Sequence, residues 1–203
     1  MKKSHLIMSA LIFFFLSSPS HIFAEDGACL DGDCVNGKGT MSYPSGRTYI
    51  GEFKEGKKQG HGVFTHPDGF THSGAWVNDV PQGKGVLSYP DGSQYEGDFS
   101  FGDPEGKGVL IHPDTTKYEG DFVDGAFNGK GVLTHPDGAK YEGDFKDGSP
   151  DGTGTATYVD GSKYEGEFKG GKKSGKGVYT KADGTKLEGE FKDGELVSSA
   201  TPH

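Results

Sequence analysis

The chain has 203 residues, 36 of them glycine, and a hydrophobic content of 31%, too little for a thick globular core. Its formal net charge of -9 sets it against nucleic acid and against anionic lipid headgroups. The glycine is periodic, which marks a repeat array and not a disordered segment.

Residues 1–24 read as a secretory signal peptide. Lys2 and Lys3 form a positive start, Leu6 to Leu16 is apolar, and Ala24 offers a small residue before a cut. The apolar run is far shorter than the roughly 20 residues of a spanning helix. The chain is therefore expected to be exported, to a periplasm, a cell envelope or the medium, and the short Lys-Lys leader suggests a bacterial source. Residues 25–48 follow as an N-terminal cap and partial repeat. They hold the two cysteines of the chain, Cys29 and Cys34, on either side of the turn dipeptide Asp31-Gly32. In an oxidising compartment the pair is expected to form a disulfide, a staple on the first hairpin and not a redox centre, because the Cys-x-x-Cys spacing is missing.

Residues 49–186 contain six full repeats of 23 residues. Tyr49, His72, Tyr95, Tyr118, Tyr141 and Tyr164 open them, and Phe53, Trp76, Phe99, Phe122, Phe145 and Phe168 follow four positions later. Each unit has a Gly-x-Gly, as at Gly129/Gly131, and most end in Asp-Gly, as at Asp137-Gly138. Within a unit the period is two, so Tyr95, Gly97 and Phe99 share one strand face. A second strand starts at the Gly-x-Gly, and Pro-Asp-Gly supplies the turn to the next unit. Glycine inside a strand points to a close approach, here by the aromatic rings of a neighbouring strand. Thr115 stands where other repeats have the turn glycine. A β-branched residue is strained at positive φ, so this turn is expected to change type. Residues 187–203 form a C-terminal partial repeat from Leu187 to Leu196 and a frayed polar tail.

The pattern Tyr-x-Gly-x-Phe/Trp, Gly-x-Gly, Asp-Gly resembles the MORN (membrane occupation and recognition nexus) repeat from Cys29 to about Leu196. That resemblance implies β-hairpin repeats in an elongated sheet, used mostly for protein or lipid contacts. The expected fold is all-β: a single-layer antiparallel sheet of tandem 23-residue hairpins, twisted or curled. Seven hairpins, counting the two partial ends together, give about 14 strands, more than an open twisted sheet usually holds without curling.

On the charged face, Glu96, Glu119, Glu142, Glu165 and Glu188 form one column and Lys84, Lys107, Lys130 and Lys176 another, which invites cross-strand Glu–Lys pairs. His66, His112 and His135 share a repeat position. Equivalent residues lie about 10 Å apart at two strands per repeat, too far to share a metal, so they read as turn-edge residues. No phosphate loop, Gly-x-Ser-x-Gly elbow or His-Glu-x-x-His occurs, so no enzymatic activity, catalytic residue, metal or cofactor is expected. A single layer can shelter its rings only partly. Tyr95, Phe99, Tyr118, Phe122, Tyr141, Phe145, Tyr164, Phe168 and Trp76 are accordingly expected to line an aromatic groove for a protein partner or a second copy of the chain. Binding of a cell-wall glycan or of membrane lipid is the alternative.

Overall fold

A computed structural model describes residues 27–199; the leader expected at 1–24 lies outside them. They hold sixteen strands and no helix. β1 (Ala28–Gly32) and β2 (Lys38–Ser42) form the first hairpin. Six hairpins of one short and one long strand follow: β3 (Thr48–Lys54) and β4 (Lys57–Thr65), β5 (Thr71–Val77) and β6 (Val80–Ser88), β7 (Gln94–Ser100) and β8 (Asp103–Ile111). They continue with β9 (Lys117–Val123) and β10 (Ala126–Thr134), β11 (Lys140–Lys146) and β12 (Ser149–Thr157), β13 (Lys163–Lys169) and β14 (Lys172–Thr180). β15 (Lys186–Lys192) and β16 (Glu195–Ser199) close the array. The strands lie in chain order in one antiparallel sheet that does not close. The excess over fourteen strands comes from the ends. The cysteine segment is itself a strand, β1, and Val197–Ser199 continue β16 where a frayed tail was expected. Cys29 and Cys34 are joined by a disulfide.

Two kinds of turn alternate. Inside each hairpin after the first a two-residue turn has both residues at positive φ, as at Asp147 (48°) and Gly148 (82°), the type I′ geometry that matches strand twist. Between hairpins the aspartate of Asp-Gly accepts a hydrogen bond from the N–H two residues on, as Asp137 Oδ1 does from Ala139 at 3.0 Å. The following glycine closes the turn, Gly138 N to His135 O at 3.0 Å. Thr115 does not change this turn. It keeps φ at 69° and donates the equivalent bond to His112 O at 2.8 Å. The surrounding sheet imposes the left-handed conformation on a residue ill suited to it. Thr115→Gly is therefore expected to stabilise the protein by about 1 kcal/mol, and Gly138→Thr, with no atom within 4 Å of an added Cβ, to destabilise it by about as much. Urea denaturation of the two variants checks this; an unchanged midpoint for both would contradict it.

The chain divides into two compact units. One holds the residues up to Thr115 together with Phe122–Gly125; the other holds Thr116–Asp121 and the chain from Ala126 on. In each unit the repeats are tied at their hairpin turns: Gly102 N donates to Pro81 O in the first, and Gly171 N to Pro150 O in the second.

The two glycines of Gly-x-Gly have different causes. In the fifth repeat Gly152 has φ +115°, at an irregularity where the β11–β12 register shifts between Gly143 and Phe145. Gly154 lies opposite Gly143, and an added Cβ there would meet Tyr141 Oη at 2.4 Å and Cζ at 2.6 Å. The tyrosine ring thus lies flat over a bare glycine pair, and its hydroxyl donates to Asp144 O at 2.9 Å. Close approach explains the second glycine, as expected; backbone conformation explains the first.

The charged face pairs differently from expectation. The Glu column faces valine or threonine across the strands, as in Glu142↔Val132. Three of these glutamates pair along their own strand instead: Lys117–Glu119 at 2.7 Å, Lys140–Glu142 at 2.8 Å, Lys163–Glu165 at 2.9 Å. In the Lys column Lys84 and Lys130 meet aspartate across the sheet, as in Lys84–Asp98 at 2.8 Å, while Lys176 lies opposite Glu190. All of these are solvated pairs worth about 0–1 kcal/mol each.

Candidate functional site

The rings form edge-to-face ladders within each unit. In the first, Tyr49 meets Phe53 at 5.1 Å and Trp76 at 5.3 Å, and Tyr95 meets Phe99 at 5.2 Å and Phe122 at 4.8 Å. In the second, Tyr141 meets Phe145 at 5.0 Å and Phe168 at 4.8 Å, and Tyr164 meets Phe168 at 5.1 Å and Phe191 at 4.9 Å. Tyr118 stacks on Phe127 at 3.7 Å and meets Phe145 edge-on. Tyr49, Tyr95, Tyr141 and Tyr164 are thus each wedged between the phenylalanine or tryptophan of their own repeat and that of the next.

This geometry corrects the expected groove. Tyr95, Phe99, Tyr118, Phe122, Tyr141, Phe145, Tyr164, Phe168 and Trp76 are all at most 6% exposed. They are the core, and they offer no open ring face to a partner. Within each unit the rings reach one another across repeats. Trp76 is anchored further, its Nε1 donating to Gly62 O at 3.2 Å.

His72 takes the tyrosine place in the second repeat and fits it poorly. It is 3% exposed, lies 4.6 Å from Phe99 and 5.2 Å from Trp76, and neither ring nitrogen has a hydrogen-bond partner. Burial pulls its pKa from 6.5 to about 4. The folded protein keeps it neutral while the unfolded chain takes up a proton below pH 6.5, so this residue's contribution to stability is complete above about 6.5 and falls as the pH drops towards about 4. The loss at the low end is on the order of 3 kcal/mol at ~1.4 kcal/mol per pH unit. His72→Tyr is expected to stabilise the fold, and by more at pH 5 than at pH 7.5. Denaturant melts at the two pH values check it; an equal gain at both would contradict the titration.

Two lysines sit inside the aromatic layer, at one repeat position five repeats apart. Lys58 Nζ lies 5.4 Å from the Tyr43 and Trp76 centroids, 5.6 Å from Phe64 and 5.9 Å from Tyr49, and 3.6 Å from Asp79 Oδ1. Lys173 Nζ has the equivalent cage, 4.5 Å from Tyr179, 5.6 Å from Phe191, 5.7 Å from Tyr164 and 5.9 Å from Tyr158. Burial lowers the pKa of both; for Lys58 the Asp79 carboxylate opposes that. At the intervening repeats the same position is Pro81, Pro104, Phe127 or Pro150. The lysines replace these apolar groups through cation–π contact, worth about 0.5–2 kcal/mol. Aligning that column shows the substitution; the ring and strand periods alone do not.

His66 and His112 behave as turn-edge residues: His66 Nδ1 accepts from Asp68 N at 3.3 Å, and His112 Nδ1 lies 3.0 Å from Ser93 Oγ. Among the described residues no three His, Cys, Asp or Glu side chains are placed to hold a metal.

The outer surface differs between the units. In the second, Lys140–Glu142 and Lys163–Glu165 cover the strands with ion pairs. In the first, the equivalent positions of β3 and β5 are Thr48 and Ile50, and Thr71 and Ser73. Ile50 is 58% exposed and pairs with Val63, 41% exposed. Along the hairpin turns of the same unit Val77 and Val123 are each 44% exposed, and Phe101 is 87% exposed.

Tandem hairpins that each lay an aromatic ring over a glycine pair, and stack it on the next repeat, define a β-hairpin repeat protein. The chain belongs to the MORN repeat family, whose description matches residues 36–46, 49–71, 72–94, 95–117, 118–140, 141–163 and 164–186. No functionally curated protein matches the sequence. Among solved structures, the TCP domain of Drosophila melanogaster SAS-4, in complex with a proline-rich motif of Ana2, is similar at a TM-score of 0.49 and 13% identity, over 84% of this chain and 92% of that one. The TCP10 domain of Danio rerio CPAP, in complex with a STIL peptide, is similar at 0.34 and 19%, over 77% and 80%. Virginiamycin B lyase of Staphylococcus aureus follows at 0.22 and 11%, over 81% of this chain and 59% of that one. All three lie below a TM-score of 0.5 and carry nothing about function.

Proposed function

We propose that this MORN-repeat chain is an exported, non-enzymatic scaffold that docks a protein partner on the surface of its first unit. The observation that supports this is the uneven placement of exposed apolar side chains. Among the described residues Ile50, Val63, Val77, Phe101, Ile111 and Val123 belong to the first unit, and in the second Val159 and the terminal Val197 compare with them. A surface that spends aliphatic and aromatic groups on water in one region, while ion pairs cover the equivalent strands elsewhere, fits a protein interface. The net charge of -9 disfavours anionic lipid. Export rests on the leader pattern of residues 1–24.

Photo-crosslinkers placed at Val63 and, as a control, at Glu142 test the reading in cells of origin. A discrete protein adduct from position 63 and none from position 142 is expected. Co-sedimentation of the purified protein with cell wall or with anionic liposomes, without a protein adduct, would overturn it in favour of glycan or lipid binding.

A further inference from the structure

Phe101 breaks the rules of its own position. It is the first residue of the β7–β8 turn, where Glu55 and Gly170 stand in two of the other repeats and Asn78, Asp124, Asp147 and Asp193 in the rest. Those short polar side chains tolerate positive φ; a phenylalanine at φ 50° is strained. It gains no packing in return, being 87% exposed. The turn beneath it is held firmly: Phe101 N donates to Gln82 Oε1 at 3.0 Å and Gly102 N to Pro81 O at 3.1 Å. The ring therefore stands on a fixed pedestal, with the half-exposed Val77 and Val123 on the neighbouring hairpins of the same unit.

Charge decides what fits there. Asp103, Glu105 and Asp124 lie at the same turns. Burial raises the Asp103 pKa, and the Asp124 and Glu105 charges raise it further, so the three carboxylates repel one another. Among the described residues none of the three is ion-paired, whereas Asp98 and Glu119 each hold a lysine. A second copy of the chain would bring like charge against like, and so would an anionic membrane.

Building on the protein-docking reading above, we infer that the β7–β8 turn is an anchor for a basic protein segment. An apolar side chain of that segment packs on Phe101 and the flanking valines, and an adjacent Arg or Lys meets Asp103, Glu105 and Asp124 and the face of the ring.

The test uses the full chain and a fluorescent peptide of alternating Arg and Leu, with an alternating Glu and Leu peptide as control, read by anisotropy. Phe101→Asn installs the residue that Asn78 already supplies at this position, so its fold and stability are kept or improved. Wild-type protein is expected to bind the Arg peptide and not the Glu peptide, more weakly as salt is raised. Phe101→Asn is expected to weaken binding at least tenfold, and Asp103→Asn with Glu105→Gln to remove most of the salt dependence; Gln at 105 keeps the acceptor for Asp124 N, as Gln82 does for Phe101 N. Absence of binding, equal binding of the Glu peptide, or Phe101→Asn within twofold of wild type would each overturn the inference. The docking reading is judged separately: if Phe101→Asn keeps the adduct formed from position 63, the anchor fails and the scaffold stands. If the Arg peptide binds as expected and no protein adduct forms, the anchor stands and the scaffold fails.

Discussion

Gly143→Ala is expected to destabilise the protein by about 3 kcal/mol, although it exchanges the smallest residue for the next. In a strand interior this exchange usually helps, by roughly 0.5–1 kcal/mol, because alanine restrains the unfolded chain. Here an added Cβ would lie 2.5 Å from Gly154 Cα and 2.5 Å from Thr153 O. Both are backbone atoms of the paired strand β12, so neither can swing aside. The strands must part, and the ring of Tyr141, which lies across the pair, must lift with them. Gly138→Ala is the control. Its φ is +89° but no atom lies within 4 Å of an added Cβ, so only the backbone term of about 1 kcal/mol remains. Chemical denaturation of both variants separates crowding from conformation. Equal losses would show that the glycine pair is not kept by close approach.

Tyr141→Ala is expected to cost about 3–5 kcal/mol, as for other large buried rings. The ring touches Phe145 of its own repeat and Phe168 of the next, so its loss opens the interface between two repeats as well as one hairpin. In an array stabilised by nearest neighbours, such a break is felt on both sides. Tyr141→Phe keeps the ring and loses only the hydroxyl bond to Asp144 O, at about 1 kcal/mol. Thermal melts should rank the wild type above Phe and Phe well above Ala. Near-equal melts for the two variants would assign the stability to the hydroxyl and not to the ring.

Much of this fold is legible in the 23-residue period. Tyrosine, glycine and phenylalanine at alternate positions place the rings on one face, and Asp-Gly places the turns. Burial is not legible in the same way. The ring that closes over Tyr141 is Phe168, 27 residues on, and whether such rings meet edge-to-face or leave a groove depends on how the strands twist, which the period does not state. The ion pairs were missed for a related reason: register puts Glu142 opposite Val132, and the lysine it uses is two residues back on its own strand. Phe101 and the caged Lys58 and Lys173 are single departures in otherwise ordinary columns. Attention to the period hides them; comparison of each column, repeat by repeat, brings them out. Thr115 shows the opposite case, a departure visible in the sequence whose turn the neighbouring strands nevertheless hold unchanged.

The rings of the aromatic layer are buried core, and the docking proposed above uses the outer surface and the turns. Trp76 reports on this burial directly, being the one tryptophan of the chain and 4% exposed between Tyr49, Phe64 and His72. Acrylamide and iodide quenching of its fluorescence in the folded full chain is the measurement. Blue-shifted emission, protected from both quenchers and released only on unfolding, is the expected result. Emission typical of a water-exposed indole, quenched in the folded protein as fully as in the unfolded chain, would show that the ring face is open and would return it to the list of binding surfaces.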